Sequence, residues 1–109
     1  MDTSTFHEVS FDHGTLCIKI ANKRFDYRML RDFRDAYKTV PLSAIEEVVI
    51  ELQGVDYVDS AALGGLLRLH DYLKPKGLRA HLRNCGEATH SHFTRMLFDQ
   101  FFDISTSSH

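Results

Sequence analysis

The sequence predicts an α/β fold: a mixed β-sheet of about four to five strands with helices packed on it, opened by an N-terminal β-hairpin. Three observations carry this prediction. The nearly continuous apolar run Val48-Val49-Ile50-Glu51-Leu52 has the composition of a strand covered on both faces, as in a parallel sheet. Strand-like segments alternate with segments whose apolar residues recur at helical spacing, which calls for right-handed crossovers. The chain has 109 residues, 43% hydrophobic and 26% charged, which suits one domain with a single modest core.

In chain order, 6–11 and 16–20 read as the two hairpin strands. Leu16, Ile18 and Ile20 alternate with Cys17 and Lys19, the period of a half-buried strand, and Asp12-His13-Gly14 supplies the turn. Asp26 is placed to cap a helix over 27–38. Leu30, Phe33 and Tyr37 share one face of it, with Arg28/Asp32 and Arg31/Asp35 as i,i+4 pairs on the other. Pro41 ends it by driving Val40 into an extended conformation. After the strand 48–52, a second helix is expected from Ser60 to Leu73. Leu63, Leu66, Leu67 and His70 form its apolar stripe, widened by Ala62, Leu69 and Leu73, and Lys74-Pro75-Lys76-Gly77 stops it. A short strand over 78–82 and a helix over 87–98 follow, with Phe93, Met96 and Leu97 facing inward. Phe101, Phe102 and Ile104 form a last apolar stretch that docks on the body. The sequence thus reads as a single domain, 1–109, with its core at about 6–104 and a polar tail at 105–109.

The formal net charge is −2 and no basic block stands out, which argues against a nucleic-acid binder held by phosphate contacts. The start, Met1-Asp2-Thr3-Ser4-Thr5, is polar and lacks the apolar core of a signal peptide, so the expected location is cytoplasmic. Cys17 and Cys85 read as two buried thiols in a reducing compartment. Of the seven histidines, His90 and His92 are the tightest cluster, but two residues apart on a helix they point to different sides. No HExxH or Cys/His ligand spacing accompanies them, and no GxSxG, GxxxxGK[ST] or GxGxxG pattern is present. The expectation is therefore no enzyme and no metal site. His70, on an apolar stripe, is expected as a hydrogen-bonded core or interface histidine.

One stretch resists this plain reading: Val55-Asp56-Tyr57-Val58-Asp59-Ser60-Ala61-Ala62-Leu63-Gly64-Gly65. Asp and Ser are the residue types expected to cap a helix start, and either Asp59 or Ser60 could do so. The glycines are unexplained by capping, because each costs about 1 kcal/mol against alanine in a helix. Small residues around one hydroxyl would let another protein, including a kinase, approach it. A phosphoserine at Ser60 would bring about −1.5 to −2 charges to a helix N-terminus that favours anions, beside Asp56 and Asp59 that repel them.

Val58-Asp59-Ser60-Ala61-Ala62-Leu63-Gly64 resembles the signature of STAS domains of the bacterial anti-sigma factor antagonist family, usually Asp-Ser-Ser-Gly-Leu-Gly or Asp-Ser-Ser-Ala-Leu-Gly. The phosphorylated serine of that motif falls on Ser60, and Ala61 replaces the second serine. Phe25-Asp26 is similar to the Leu-Asp or Phe-Asp before the family's first helix, with Lys23-Arg24 where a glycine is usual. Phe33 to Tyr37 and Phe98 to Ile104 look like a proteobacterial branch working with response regulators that carry kinase or phosphatase domains. The resemblance implies a partner-switching cycle in signal transduction and transcription regulation. The unphosphorylated protein binds a serine kinase that is also an anti-sigma factor, phosphorylation of Ser60 weakens the complex, and a PP2C-type phosphatase restores it. It implies a partner surface on Lys23, Arg24, Phe25, Asp26, Asp56, Tyr57, Asp59, Ala61, Ala62, Gly64 and Gly65. It also implies that no cofactor is needed. The alternative use of such domains is an accessory subunit of an ABC-type lipid transporter, with Ser60 only structural.

Overall fold

A computed structural model describes residues 6–107. Strands β1 (His7–Asp12) and β2 (Thr15–Ile20) form the expected antiparallel hairpin, with His13 and Gly14 both at positive φ in its turn. The order continues β3 (Arg24–Phe25), α1 (Leu30–Lys38), β4 (Glu47–Glu51), β5 (Tyr57–Val58), α2 (Ser60–Leu73), β6 (Ala80–Cys85), α3 (Glu87–Arg95) and β7 (Asp103–Thr106). The main sheet has five strands in the order β1-β2-β4-β6-β7, with β2, β4, β6 and β7 parallel.

That order advances in one direction across the sheet. With crossovers of the usual right hand, such an order brings α1, α2 and α3 onto the same face. The register agrees: Leu16, Val48 and Ala80 lie side by side, as do Ile18, Ile50 and Leu82, and all belong to one core with Phe33, Leu66, Leu69 and Phe93 of the helices. The strand expected at 48–52 is buried on both faces, Val48, Val49, Ile50 and Glu51 all being buried, although the two faces are covered differently. Helices cover one face only, and Val49 is buried outside that core, flanked in register by Cys17 and His81.

Corrections follow from tertiary contacts. Tyr27–Met29 is a 3-10 turn capped by Asp26, and the α-helix begins only at Leu30. Arg28 turns back to the buried Asp26 carboxylate instead of forward to Asp32, and Arg31 and Asp35 do not close to ion-pair distance. Met96 and Leu97 are exposed, 50% and 57%, because α3 stops at Arg95 and Leu97 takes a left-handed φ of 62° that turns the chain. Cys17 is only half-buried, whereas Cys85 is fully buried and its thiol is pushed up to about 12 by that burial. His70 lies against Phe101 and Phe102, with ring centroids 5.1 and 5.9 Å away, and its buried Nδ1 has no hydrogen-bond partner among the described residues.

The expected polar tail is in part a strand. Thr106 pairs with Cys85, Ser105 Oγ lies 2.9 Å from His81 Nε2, and the Ser107 amide donates to the Cys85 carbonyl. Arg79 holds the approach to this strand, donating to the carbonyls of Asp99, Gln100 and Phe102 and pairing with Asp103. The expectations for 1–5 and for Ser108 and His109 lie outside the described residues. Among the described residues, no helix is long and apolar enough to cross a membrane.

Candidate functional site

The carboxyl ends of parallel strands are where α/β sheets place their functional loops, because backbone and helix N-termini converge there. At that end of β2 and β4, the short strands β3 and β5 pair in parallel, Arg24 with Tyr57 and Phe25 with Val58. The Asp56 and Tyr57 amides donate to the Lys23 carbonyl, and the Asp59 amide donates to the Phe25 carbonyl. This ladder draws 23–26 against 56–59. Two residues per strand are too few to show a period, so sequence patterning could not reveal it.

Asp59 is the joint of the site. One carboxylate oxygen accepts from the Ala62 amide at 2.8 Å, and the other accepts from the Tyr27 amide at 3.1 Å. A single side chain therefore caps α2 and ties it to the turn that opens α1. The capping choice left open by the sequence is thereby resolved in favour of Asp59. Ser60, the first residue of α2, is exposed.

Asp26 supports the joint from below. Its carboxylate accepts from the Arg28 amide and, at 3.0 and 3.2 Å, from Arg28 Nε, with Arg24 Nε 3.6 Å away. These contacts, led by the Arg28 side-chain hydrogen bond, hold the Asp26 carboxyl below its ordinary value. The Arg24 guanidinium also lies over the Tyr57 ring, 4.2 Å from its centroid.

Lys23, Arg24, Asp56 and Tyr57 are exposed around Ser60, and Asp59, Ala61 and Gly64 are half-buried. The side chains of Phe25, Asp26 and Ala62 and the backbone of Gly65 are buried, so these four shape the surface from beneath. The two glycines separate. A Cβ on Gly64 would meet open space, whereas one on Gly65 would sit 2.7 Å from Leu30 Cδ2 of α1. Gly65 is small because two helices meet there.

A groove of about 430 Å³ runs from Ser60, Tyr57 and Leu63 to Ala88, Thr89 and His92 of α3 and to Met96 just beyond its end. The α3 side of this groove was missed in the sequence. Its signal was the spacing of Ala88, His92 and Met96, four residues apart and hence on one helix face. Thr89 fixes α3 there by donating to the Val55 carbonyl. Among the described residues, no group of three or more His, Cys, Asp or Glu side chains is arranged to hold a metal ion. The arrangement offers an exposed hydroxyl on a capped helix start, a rim of mixed charge and an adjoining groove, which suits recognition by another protein.

A family model for the STAS domain matches residues 8–109. The chain belongs to the STAS-domain family. This STAS domain is 36% identical over 96 residues to the STAS-domain containing protein PA14_20770 of Pseudomonas aeruginosa (strain UCBPP-PA14), covering 88% of this chain and 93% of the relative. Its fold is that of the anti-sigma factor antagonist SpoIIAA in its unphosphorylated form, with a TM-score of 0.72 and 15% identity over 94% of this chain and 89% of the other. The phosphorylated form of SpoIIAA, the Bacillus cell fate determinant, matches with a TM-score of 0.70 and 16% identity over 92% and 91% of the two chains. The murine anion transporter Slc26a9 in its inward-facing state also contains this STAS fold, with a TM-score of 0.71 and 16% identity over 92% of this chain and 17% of the transporter.

Proposed function

We propose that this STAS domain is a phosphorylation-controlled partner-switching regulator of the anti-sigma factor antagonist kind, acting by binding and needing no cofactor of its own. The observation that carries the reading is the division of labour at α2: Asp59 makes the cap, which leaves the exposed Ser60 without that structural task. The unphosphorylated protein binds a serine kinase that is also an anti-sigma factor, or a response regulator with a kinase or phosphatase domain. The contact surface comprises Lys23, Arg24, Asp56, Tyr57, Asp59, Ser60, Ala61 and Gly64, shaped by Phe25, Asp26, Ala62 and Gly65 beneath. Phosphorylation of Ser60 adds about −1.5 to −2 charges beside Asp56 and Asp59 and weakens the complex. A PP2C-type phosphatase reverses it. The existence of both unphosphorylated and phosphorylated SpoIIAA supports the analogy.

The test is affinity for the cognate regulator, with Ser60→Ala expected to bind like the wild type and Ser60→Asp to bind more weakly. Phosphate incorporation by the kinase is expected in the wild type and lost in Ser60→Ala. Equal binding by all three proteins would sink the switch. The likeness to the STAS portion of Slc26a9 favours a second reading, a transporter accessory role such as a subunit of an ABC-type lipid transporter. Stable co-purification with an ATPase subunit, unchanged by Ser60→Asp, would select it.

A further inference from the structure

Four of the eight arginines are held in ion pairs within the fold: Arg24 and Arg28 with Asp26, Arg79 with Asp103, and Arg83 with Glu51. Of the other four, Arg31, Arg34 and Arg68 line a single cleft of about 260 Å³ between α1 and α2. All three are exposed, and none is within ion-pair distance of an acidic side chain among the described residues. Asp35 and Asp71, their neighbours along the helices, leave them unpaired. Leu30 and Phe33 give the cleft an apolar wall, and its floor is the α2 backbone at Gly65, where a Cβ would crowd Leu30.

Arginines scattered singly over a surface are satisfied by water. Three around one concavity repel one another, and they do so here on a chain whose net charge is −2. Tyr37 lines the same cleft, between Arg34 of α1 and Arg68 of α2. Burial keeps its phenol protonated, hence a donor. Planar guanidinium forks match the paired oxygens of phosphate groups better than any other side chain.

We infer that the α1–α2 cleft binds a phosphate-class oxyanion through Arg31, Arg34 and Arg68, with the Tyr37 hydroxyl as a further donor. Arg68 lies eight residues beyond Ser60, about 12 Å along the helix, so this site is separate from the phosphorylation surface and does not rest on that reading. The phosphate belongs either to a soluble small molecule or to a lipid headgroup, and the same cations serve both.

The experiment titrates the isotope-labelled full chain with inorganic pyrophosphate at about 150 mM salt, where distant surface charges are screened beyond about 8 Å. Saturable amide shifts confined to 30–37 and 64–69 are expected, with an affinity at least about tenfold weaker in the Arg34→Gln/Arg68→Gln variant. The Arg34→Lys/Arg68→Lys variant, which keeps charge but loses the forks, is expected to fall between them. A second arm uses flotation with phosphatidylcholine vesicles containing about one-third phosphatidic acid. Pyrophosphate binding without flotation assigns a soluble ligand; flotation lost in the Gln variant assigns a headgroup. No saturable response in either arm, or responses unchanged in a Gln variant that keeps the wild-type circular dichroism spectrum, overturns the site. Equally tight binding of a polyglutamate peptide overturns it in favour of an acidic protein surface.

Discussion

Replacing Asp59 by alanine removes two hydrogen bonds with one side chain, the cap on the Ala62 amide and the tie to the Tyr27 amide. Loss of an N-cap costs about 1 kcal/mol, and loss of the second charge-assisted bond at this half-buried position costs about 1 kcal/mol more. The expected destabilisation is therefore about 2 kcal/mol, or about 8 °C in Tm for a domain near 100 residues. Ser60→Ala touches neither bond and is expected to stay within about 0.5 kcal/mol of the wild type. Urea unfolding at constant m-value, followed by circular dichroism, measures both. Asp59→Asn keeps one acceptor oxygen and should lose about half as much as the alanine variant. The reasoning fails if Ser60→Ala loses as much as Asp59→Ala, because the serine hydroxyl would then be the cap. Such a result would also remove the observation on which the phosphorylation switch rests.

Gly64→Ala is expected to stabilise the domain by about 0.5–1 kcal/mol, since its Cβ meets open space, whereas Gly65→Ala should forfeit that gain against Leu30; thermal melts of the two variants compare them directly. Glu51 sits at the end of β4, where burial raises its carboxyl pKa but hydrogen bonds from Arg83 and Asn84 outweigh that and leave it lowered. A folded pKa below the unfolded one contributes stability above the ordinary glutamate range, and this is lost as pH falls through the folded value. Glu51→Gln should accordingly flatten the decline of the urea midpoint between about pH 5 and pH 3. Arg79→Met releases three carbonyls and Asp103, which at a half-exposed site should cost about 2 kcal/mol. Faster hydrogen exchange at the Ile104 and Ser107 amides, with those of β2 and β4 unchanged beyond the global loss, would locate the effect.

Much of this protein follows from local chemistry that a sequence displays. The alternation of Leu16, Ile18 and Ile20, the turn at His13 and Gly14, and the helix from Ser60 to Leu73 are consequences of period and capping within a few residues. The motif around Ser60 was legible for the same reason, as acidic, hydroxyl and small residues at a strand-to-helix joint. Which of two candidate side chains caps α2 was decided by geometry, because Asp59 also reaches an amide 32 positions earlier in the chain. Strand order and crossover hand decided that one sheet face carries every α-helix, which no property of Val49 alone could reveal. Tertiary contact likewise separated Gly64 from Gly65, set Ala88, His92 and Met96 beside Ser60, and gathered arginines from two helices into one cleft. Period and caps act over one or two helical turns and can be read along the chain. Proximity between residues far apart in the chain is set by how the sheet orders its strands, and it exists only once the chain has folded.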